Sequence, residues 1–282
     1  MRKLQWIAAM VIATAALAAC GGGSSSSSSS SSSGSGSSTG AEGAQALKLK
    51  SPGQLIAGAE FPVAGFVELP LDKPKGFEVD LAAAIAQELK VPKVKWVNTP
   101  FSGLFSPAPK SFDVAINEIT ITPERAKVID FSDPYFEANQ GFLIKKGGPG
   151  EKARSVADMK GLQFGYQATT TGGDYIKNTI KPSKQPREFS TLGAASRALA
   201  NGQIDAFVMD VAIGAQVVKK LPQDIAMTGQ FATGEKYGVL LQKGNPLKAK
   251  VNAAIAALKS SGRLQALQKK WFPGTDALPT FS

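Results

Sequence analysis

A run of glycine and serine near the amino terminus most constrains how this chain can fold. From Gly21 to Gly40 every residue except Thr39 is glycine or serine, and Ser24 to Ser33 is unbroken serine. This composition offers no apolar surface to bury, so it cannot contribute to a packed core. The folded part of the chain must therefore begin after the run, at Leu47, and we interpret residues 20–46 as a tether.

The segment before the tether has the three parts of a signal peptide. Two basic residues precede a short apolar stretch, Leu4 to Ala16, and a small-residue ending, Leu17-Ala18-Ala19-Cys20. The apolar stretch is shorter than the roughly 20 residues that a membrane-spanning helix needs. The ending resembles the bacterial lipobox, in which the cysteine is lipidated. We therefore expect removal of residues 1–19, lipidation of Cys20, and an exported lipoprotein anchored on the membrane face toward the periplasm or cell exterior.

The residue types that the chain lacks exclude several kinds of chemistry. It has no histidine and one cysteine, so it cannot build a Ser-His-Asp or Cys-His nucleophile, a histidine-ligated zinc site or an intrachain disulfide. We expect no metal, no cofactor and no catalytic residue. The net charge is +10, but the lysines are scattered without an aromatic-basic stripe, so we expect no nucleic-acid partner.

Segments of strand and helix periodicity alternate along residues 47–282, which is typical of α/β units. The predicted strands are Leu55–Ala57, Val94–Val97, Phe112–Ile116, Leu162–Gln167 and Ile204–Met209. Predicted helices include Leu81–Leu89, the segment after Thr122, Ser155–Lys160, the segment after Thr169–Asp174, Leu192–Gly202, Asn245–Leu258 and Leu264–Trp271. The stretches Phe112–Ile119 and Ile204–Val211 resemble one another, which indicates two similar lobes.

Two loops that lead into helices are candidate sites for an anionic group, because helix amino termini carry free N–H groups and partial positive charge. The loop Thr120 to Arg125 places an arginine in the first helical turn, where its planar fork suits a carboxylate. The loop Ala168 to Gly173 contains glycines that allow close approach of a ligand. Asp210 ends an apolar strand and is placed to meet a cation. Together these features suit a zwitterion.

Each of these residues also has an ordinary structural interpretation. Arg125 could pair with a neighbour on a helix surface, and Asp210 could cap the helix that starts at Val211. Phe101 could belong to the core. Taken singly, none of these residues is specific for a ligand.

Several short blocks between Leu55 and Phe272 recur together in one family. They are Gly76–Leu81 (GFEVDL), Phe101–Leu104 (FSGL), Ile119–Arg125 (ITITPER), Asp130–Phe136 (DFSDPYF), Asn201–Ala206 (NGQIDA), Tyr237–Gly238 (YG) and Lys269–Phe272 (KKWF). Through them the chain resembles the bacterial solute-binding proteins of family 3, the extracytoplasmic receptors of polar amino-acid ABC importers. The resemblance implies a binding protein rather than an enzyme, monomeric, with ABC permease transmembrane subunits as partners.

The same resemblance implies an α/β, two-lobed periplasmic-binding-protein fold (type II), with two doubly wound lobes joined by two hinge strands. In this numbering, lobe 1 is expected to comprise residues 47–142 and 234–282, and lobe 2 residues 143–233. The hinge crossings are expected near Phe142–Lys145 and near Phe231–Tyr237.

The resemblance also implies how the ends of an amino acid are held. Arg125 and the backbone amides of Thr120 and Thr170 are expected to hold the α-carboxylate. Asp210, the Thr120 hydroxyl and the Glu118 carbonyl are expected to take the α-ammonium. Because Arg125 and Asp210 belong to different lobes, the zwitterion would bridge them and favour the closed state.

The ligand side-chain pocket departs from the family pattern. Its predicted residues are Phe101, Glu60, Val63, Glu118, Gln167 and Thr169. Relatives usually carry an aromatic residue where Val63 stands and a small residue where Glu118 stands. Glu60 and Glu118 could pair with a ligand cation, or Glu118 could contribute only its backbone and point to solvent. Other blocks look closest to the glutamine-binding branch, so we expect a polar or cationic L-amino acid (glutamine, arginine or lysine-like).

Two other functions stay open at this point. The fold resembles that of cyclohexadienyl (arogenate/prephenate) dehydratases, for which Glu118 or Glu60, with a raised pKa, could be the general acid. The tether and lipobox favour a receptor instead, because an anchored receptor stays near its permease. The sensor domain of a signalling protein is a third possibility, which no kinase-like segment supports.

Overall fold

The computed structural model describes residues 47–272 and 278–281. The predicted signal peptide, Cys20 and the tether lie outside these described residues. The strands are β1 Gln54–Ala59, β2 Lys93–Asn98, β3 Val114–Ala115, β4 Ile129–Phe131, β5 Phe136–Lys145, β6 Phe164–Gln167, β7 Arg187–Phe189, β8 Ala206–Asp210, β9 Ile225–Tyr237 and β10 Leu240–Gln242. The α-helices are α1 Phe77–Glu88, α2 Pro123–Ala126, α3 Val156–Met159, α4 Thr171–Tyr175, α5 Leu192–Ala200, α6 Val211–Lys220, α7 Leu247–Ser260 and α8 Arg263–Trp271. Among the helices of the described ranges, none has the length and apolar character needed to span a bilayer.

The first sheet has the strand order β2-β1-β3-β10-β4. Strand β1 pairs in parallel with β2 and β3, and β10 runs antiparallel between β3 and β4. Leu55 and Ala57 of β1 are buried in one core with Leu81 and Ile85 of α1, as the periodicity predicts. This sheet with its helices is called the first lobe below.

The second sheet, which with its helices is the second lobe, has the order β7-β6-β8-β5-β9. Strand β6 is parallel to β7 and β8, whereas β5 is antiparallel to β8 and β9. Its core includes Phe142, Phe164, Ile176 and Val208. The predicted α/β class is confirmed in both lobes, and each sheet also contains antiparallel strands.

Helices begin where the capping signals predict. The Thr122 hydroxyl accepts from the Arg125 N–H at 3.2 Å, and Pro123 is the first residue of α2. The Thr170 hydroxyl accepts from the Gly173 N–H at 3.2 Å and caps α4. These caps hold Arg125 and Thr170 at the start of short helices beside the gap between the lobes.

Two long strands, β5 and β9, pass between the lobes. Residues Gln140–Ile144 of β5 pair with β8 inside the second sheet. The predicted first crossing near Phe142–Lys145 is therefore wrong, because most of those residues belong to that sheet. The passage lies earlier, at Phe136–Ala138, which pairs with residues 235–237 of β9 before a register shift. The predicted lobe ranges otherwise stay predictions.

The last described residues contact the second lobe. The Gln230 N–H donates to the Pro279 carbonyl and the Gln230 carbonyl accepts from the Phe281 N–H, each at 2.8 Å. The Phe281 ring is buried against Phe231, whereas Phe272 packs in the core of the first lobe. The predicted assignment of the whole segment 234–282 to lobe 1 is therefore corrected for residues 278–281.

Candidate functional site

A cavity lies between the lobes, at the carboxyl ends of β1, β3, β6 and β8, and encloses about 550 Å³ including its mouth. Loops that follow parallel strands meet at this edge, which is where open α/β sheets bind ligands. The lining residues are Glu60, Val63, Phe101, Asn117, Glu118, Thr120, Arg125, Gln167, Thr170, Thr171, Gly172, Leu192, Phe207, Val208, Met209, Asp210 and Ile213.

Nine of the ten residues predicted to contact a ligand line this cavity. The exception is Thr169, which is exposed and whose hydroxyl donates to the Ala168 carbonyl at 2.6 Å. Its backbone carbonyl nevertheless accepts from Arg125. The structure therefore brings the predicted residues together, and their individual roles toward a ligand stay predictions.

The Arg125 guanidinium is held at the junction of the lobes. Its Nη1 donates to the Thr120 carbonyl at 2.7 Å and its Nη2 to the Thr169 carbonyl at 2.9 Å. The rings of Phe101 and Phe105 flank it, with Cζ 5.7 and 4.5 Å from their centroids. Burial lowers the pKa of Arg125, although nearby carboxylates oppose that shift. These contacts differ from the surface ion pair of the alternative interpretation.

Asp210 ends β8 in the second lobe, and only 8% of its surface is exposed. The Tyr237 hydroxyl donates to its Oδ2 at 2.5 Å, and the side-chain amide of Gln140 donates to its Oδ1. Burial, followed by repulsion from Glu235, raises the pKa of Asp210 to about 7 against these hydrogen bonds and the attraction of Arg125. Asp210 occupies the N-cap position of α6 but makes no capping hydrogen bond, so capping does not explain it.

Glu118 lines the cavity and is buried against a second carboxyl group, Glu78. The Glu118 N–H and the Tyr135 hydroxyl donate to Oε1 of Glu78 at 2.8 and 2.5 Å. The Asn117 amide donates to Oε2 of Glu118 at 2.5 Å. Burial raises the pKa of Glu78 to about 7, and burial plus repulsion by Glu78 raises the pKa of Glu118 well above its ordinary value. The interpretation in which Glu118 points to solvent is wrong.

One oxygen of each of these buried carboxyl groups lacks a hydrogen-bond partner within the described structure: Oε2 of Glu78 and Oε1 of Glu118. An unpartnered buried polar atom is costly unless a ligand or water satisfies it. The Glu118 backbone is also left-handed, with a φ of 45°, which non-glycine residues adopt at an energetic cost. Both features cost free energy at Glu118 rather than stabilise the fold.

Glu60 and Gln167 make a second polar contact between the lobes. The Gln167 Nε2 donates to both carboxylate oxygens of Glu60, at 3.2 and 3.3 Å. The Phe101 N–H also donates to Oε2 of Glu60 at 2.8 Å. Both oxygens of Glu60 therefore have partners, whereas Oε1 of Glu118 has none among the described residues. Val63 contributes an apolar part of the wall.

Several residues at the site were not predicted. Asn117, Thr171 and Met209 line the cavity directly beside predicted residues, so the same loop and strand patterns could have identified them. Gln140 and Glu235 lie on the interlobe strands, and nothing local in the sequence marks them. Within the described ranges, no three histidine, cysteine or acidic side chains are arranged to hold a metal ion.

The two sheets, the two connecting strands and the interlobe cavity with its opposed arginine and aspartate define the class of two-lobed ligand-binding proteins. The chain belongs to the bacterial extracellular solute-binding proteins, family 3, whose family model matches residues 56–274. The predicted family, the two-lobed fold and the binding rather than enzymatic class are confirmed.

Individual relatives share a third of their residues with this chain. It is 34% identical to the L-cystine-binding protein TcyJ of Escherichia coli K12 over 80% of this chain and 85% of the relative. It is 33% identical to the ABC transporter glutamine-binding protein GlnH of Bacillus subtilis over 77% of each. Among solved structures, an ancestral arginine-binding protein bound to arginine is 36% identical, with a TM-score of 0.70 over 78% of this chain and 98% of the other.

Proposed function

We propose that this protein captures one polar or cationic L-amino acid between its lobes and delivers it to the transmembrane subunits of an ABC importer. The observation that carries the proposal is that Arg125 of the first lobe and Asp210 of the second lobe line one cavity. A zwitterion that contacts both groups makes more contacts in the closed state than in the open one, so binding favours closure.

The carboxylate end of the ligand fits the Arg125 side of the cavity. A guanidinium has five N–H donors in a planar fork, and two of its nitrogens here also hold backbone carbonyls. The amino terminus of α4, which Thr170 caps, lies across the cavity and adds partial positive charge. The ammonium end fits Asp210, whose proton would leave when a cation approaches.

The side chain of the ligand meets Glu118. Glu60 is already paired with Gln167 and Phe101, whereas Oε1 of Glu118 is buried without a partner in the part of the chain that the structure describes. A ligand that ends in a hydrogen-bond donor satisfies this oxygen. The guanidinium of arginine, the ammonium of lysine and the amide of glutamine all meet that requirement, and relatives named for arginine and glutamine are consistent with it.

A dehydratase is the weaker candidate. Glu118 has the raised pKa that a general acid needs. The described relatives, however, are named as amino-acid-binding proteins, and an acid with a raised pKa is equally suited to take up a ligand cation.

A thermal-shift screen tests this function. The protein is heated with each of the twenty proteinogenic L-amino acids and with L-cystine, and a hit is confirmed by calorimetric titration. We expect a rise in the unfolding temperature with at least one polar or cationic amino acid. An unchanged unfolding temperature with every amino acid, or conversion of prephenate or arogenate to product, would contradict the proposal.

The export and anchoring of the protein are part of the same proposal. Residues 1–19 would be removed and Cys20 lipidated, with residues 20–46 as the tether. Fractionation of the native host tests it: the wild-type protein should remain with membranes and the Cys20→Ser variant should not. Membrane retention of the variant equal to wild type would contradict the lipid anchor.

A further inference from the structure

The Glu235 carboxylate, on strand β9 between the lobes, joins residues from both lobes. Its Oε2 accepts from the Thr120 hydroxyl of the first lobe at 2.8 Å and from the Thr171 hydroxyl of the second lobe at 2.7 Å. Its Oε1 accepts from the Gln140 side-chain amide at 3.1 Å. Thr120 and Thr171 line the ligand cavity, whereas Glu235 stands behind them.

The direction of the Thr120 hydrogen bond has a chemical consequence. A hydroxyl has one hydrogen to donate and two lone pairs to accept with. Because Thr120 donates its hydrogen to Glu235, its oxygen can act only as an acceptor toward any further partner, and Thr120 lines the cavity. An ammonium group carries only donors, so this orientation matches it and excludes competing donation by Thr120.

The Gln140 amide links the same carboxylate to the acid of the second lobe. Its Nε2 donates to Oδ1 of Asp210, to Oε1 of Glu235 and, at 3.3 Å, to the Thr171 hydroxyl. Glu235 is therefore bonded directly to Thr120 and is joined to Asp210 through the Gln140 amide. The proposed function assigns the α-ammonium to Asp210, and the family resemblance implies that the Thr120 hydroxyl contacts the same group; both residues line the cavity.

We propose that Glu235 is a positioning residue for recognition of the ligand α-ammonium, acting through the Thr120 hydroxyl rather than by direct contact. The inference rests on the proposed function, because it presupposes that an amino acid binds in the cavity. The rival role is a purely structural link between the lobes, in which the carboxylate only ties Thr120 to Thr171. The two roles differ in whether the effect of Glu235 depends on the ligand having an ammonium.

The experiment measures dissociation constants by calorimetry on the full chain. The probes are L-glutamine, L-arginine and L-cystine, paired with their counterparts without the α-amino group: glutaramate, 5-guanidinopentanoate and 3,3′-dithiodipropionate. Glu235→Gln keeps the side-chain shape but can present an N–H to Thr120, reversing its hydrogen bond. For the amino acid that binds wild type, Glu235→Gln should raise the dissociation constant by about tenfold. For the des-amino counterpart of that amino acid, the dissociation constant should rise by less than about twofold.

A double-mutant cycle tests whether Thr120 transmits the effect. In a Thr120→Val background, Glu235→Gln should cause little further loss of affinity for the amino acid. In a Thr120→Ser background, which keeps the hydroxyl, Glu235→Gln should weaken binding by the same factor as in wild type. Glu137→Gln is the matched control, since this carboxylate lies on β5 opposite Lys236, is 83% exposed and is not one of the residues that line the cavity. It should leave every dissociation constant unchanged.

Four results would overturn the inference. Glu235 would be a structural link if Glu235→Gln weakened binding of the amino acid and of its des-amino counterpart equally. The same conclusion would follow if the binding effects of Glu235→Gln and Thr120→Val were fully additive. Either result would leave the proposed function intact. An unchanged affinity in Glu235→Gln would do the same. If wild type binds none of the amino acids tested, the proposed function fails first, and the inference fails with it.

Discussion

Arg125 and Thr169 join the two lobes directly, through a hydrogen bond of 2.9 Å from the guanidinium Nη2 to the backbone carbonyl. Thr169 carries a φ of 64°, which is strained for a β-branched residue. Because Nη1 is bound to Thr120 as well, the guanidinium is oriented before a ligand enters. Orientation in advance reduces the entropic cost of binding.

Replacing Arg125 should remove binding with little effect on the empty protein. Each hydrogen bond between a guanidinium and a carboxylate contributes about 1.5 to 3 kcal/mol to binding. Arg125→Ala should therefore weaken binding of the amino acid about 100-fold or more. The unfolding free energy without ligand should change by about 1 kcal/mol or less, because the space that the guanidinium leaves at the cavity admits water to both carbonyls. Calorimetric titration and chemical denaturation measure the two quantities. The control is Arg154→Ala, which removes an exposed arginine whose guanidinium is bound to neighbouring carbonyls. A large loss of stability in Arg125→Ala would contradict the prediction and mark Arg125 as a structural residue.

Glu118→Gln should report the charge of the ligand side chain. If that side chain is cationic, loss of the carboxylate should weaken binding by about tenfold or more. If the ligand is neutral, the change should be about threefold or less, because an amide can still accept a hydrogen bond. Calorimetric titration of arginine and of glutamine into wild type and into Glu118→Gln distinguishes these cases. The control is Glu124→Gln, at an exposed glutamate. Unchanged affinity for a cationic amino acid that binds wild type would contradict the placement of Glu118 at the ligand side chain.

The empty protein should become less stable as pH rises from about 5 to about 7. The pKa of Glu78 rises from an ordinary 4.5, and that of Asp210 from 3.8, each to about 7. Each group thus holds a proton in the folded state that it has lost in the unfolded state, so stability is highest below the unfolded pKa and declines toward the folded one. Each contribution is of order 3 kcal/mol.

Denaturation at a series of pH values measures this dependence. Glu78→Gln should make this dependence shallower by the contribution of Glu78, because the amide cannot titrate, and should leave the contribution of Asp210. The groups facing Glu78 are Glu118 and Tyr135, and those facing Asp210 are Arg125, Glu235, Gln140 and Tyr237. A wild-type stability that rises over this pH range would contradict the prediction.

Phe281→Ala should destabilise the second lobe. The ring is 7% exposed and packs against Phe142 and Phe231, and it fills the space over Gly229. Loss of a buried phenylalanine side chain costs about 3 kcal/mol or more. Thermal denaturation measures the loss, and Thr280→Ala at an exposed neighbour should be close to wild type. Equal stability of the two variants would show that residues 278–281 do not pack as described.

Features decided by neighbouring residues could be predicted from the sequence. The Thr122 cap, the Pro123 start of α2 and the strands that end at Gln167 and Asp210 depend on local residue types and periodicity. Since these short elements also place the site, most of the cavity lining followed from them together with the family resemblance.

Features decided by distant residues could not be predicted. Thr120 and Glu235 are 115 positions apart, and Glu78 and Glu118 are 40 apart, so no local pattern indicates that their side chains meet. The first passage between lobes was misplaced for the same reason, because Phe142 reads as a strand residue in either sheet. Contact of Phe281 with the second lobe likewise depends only on tertiary packing.

A crystal structure of the full chain with its bound amino acid tests most directly whether Arg125 and Asp210 hold the two ends of the ligand. It should show the ligand carboxylate within hydrogen-bonding distance of the Arg125 guanidinium and the ligand ammonium within that distance of Asp210 and the Thr120 hydroxyl. An amino acid bound with Arg125 and Asp210 turned away from it, or bound outside the interlobe cavity, would contradict the account.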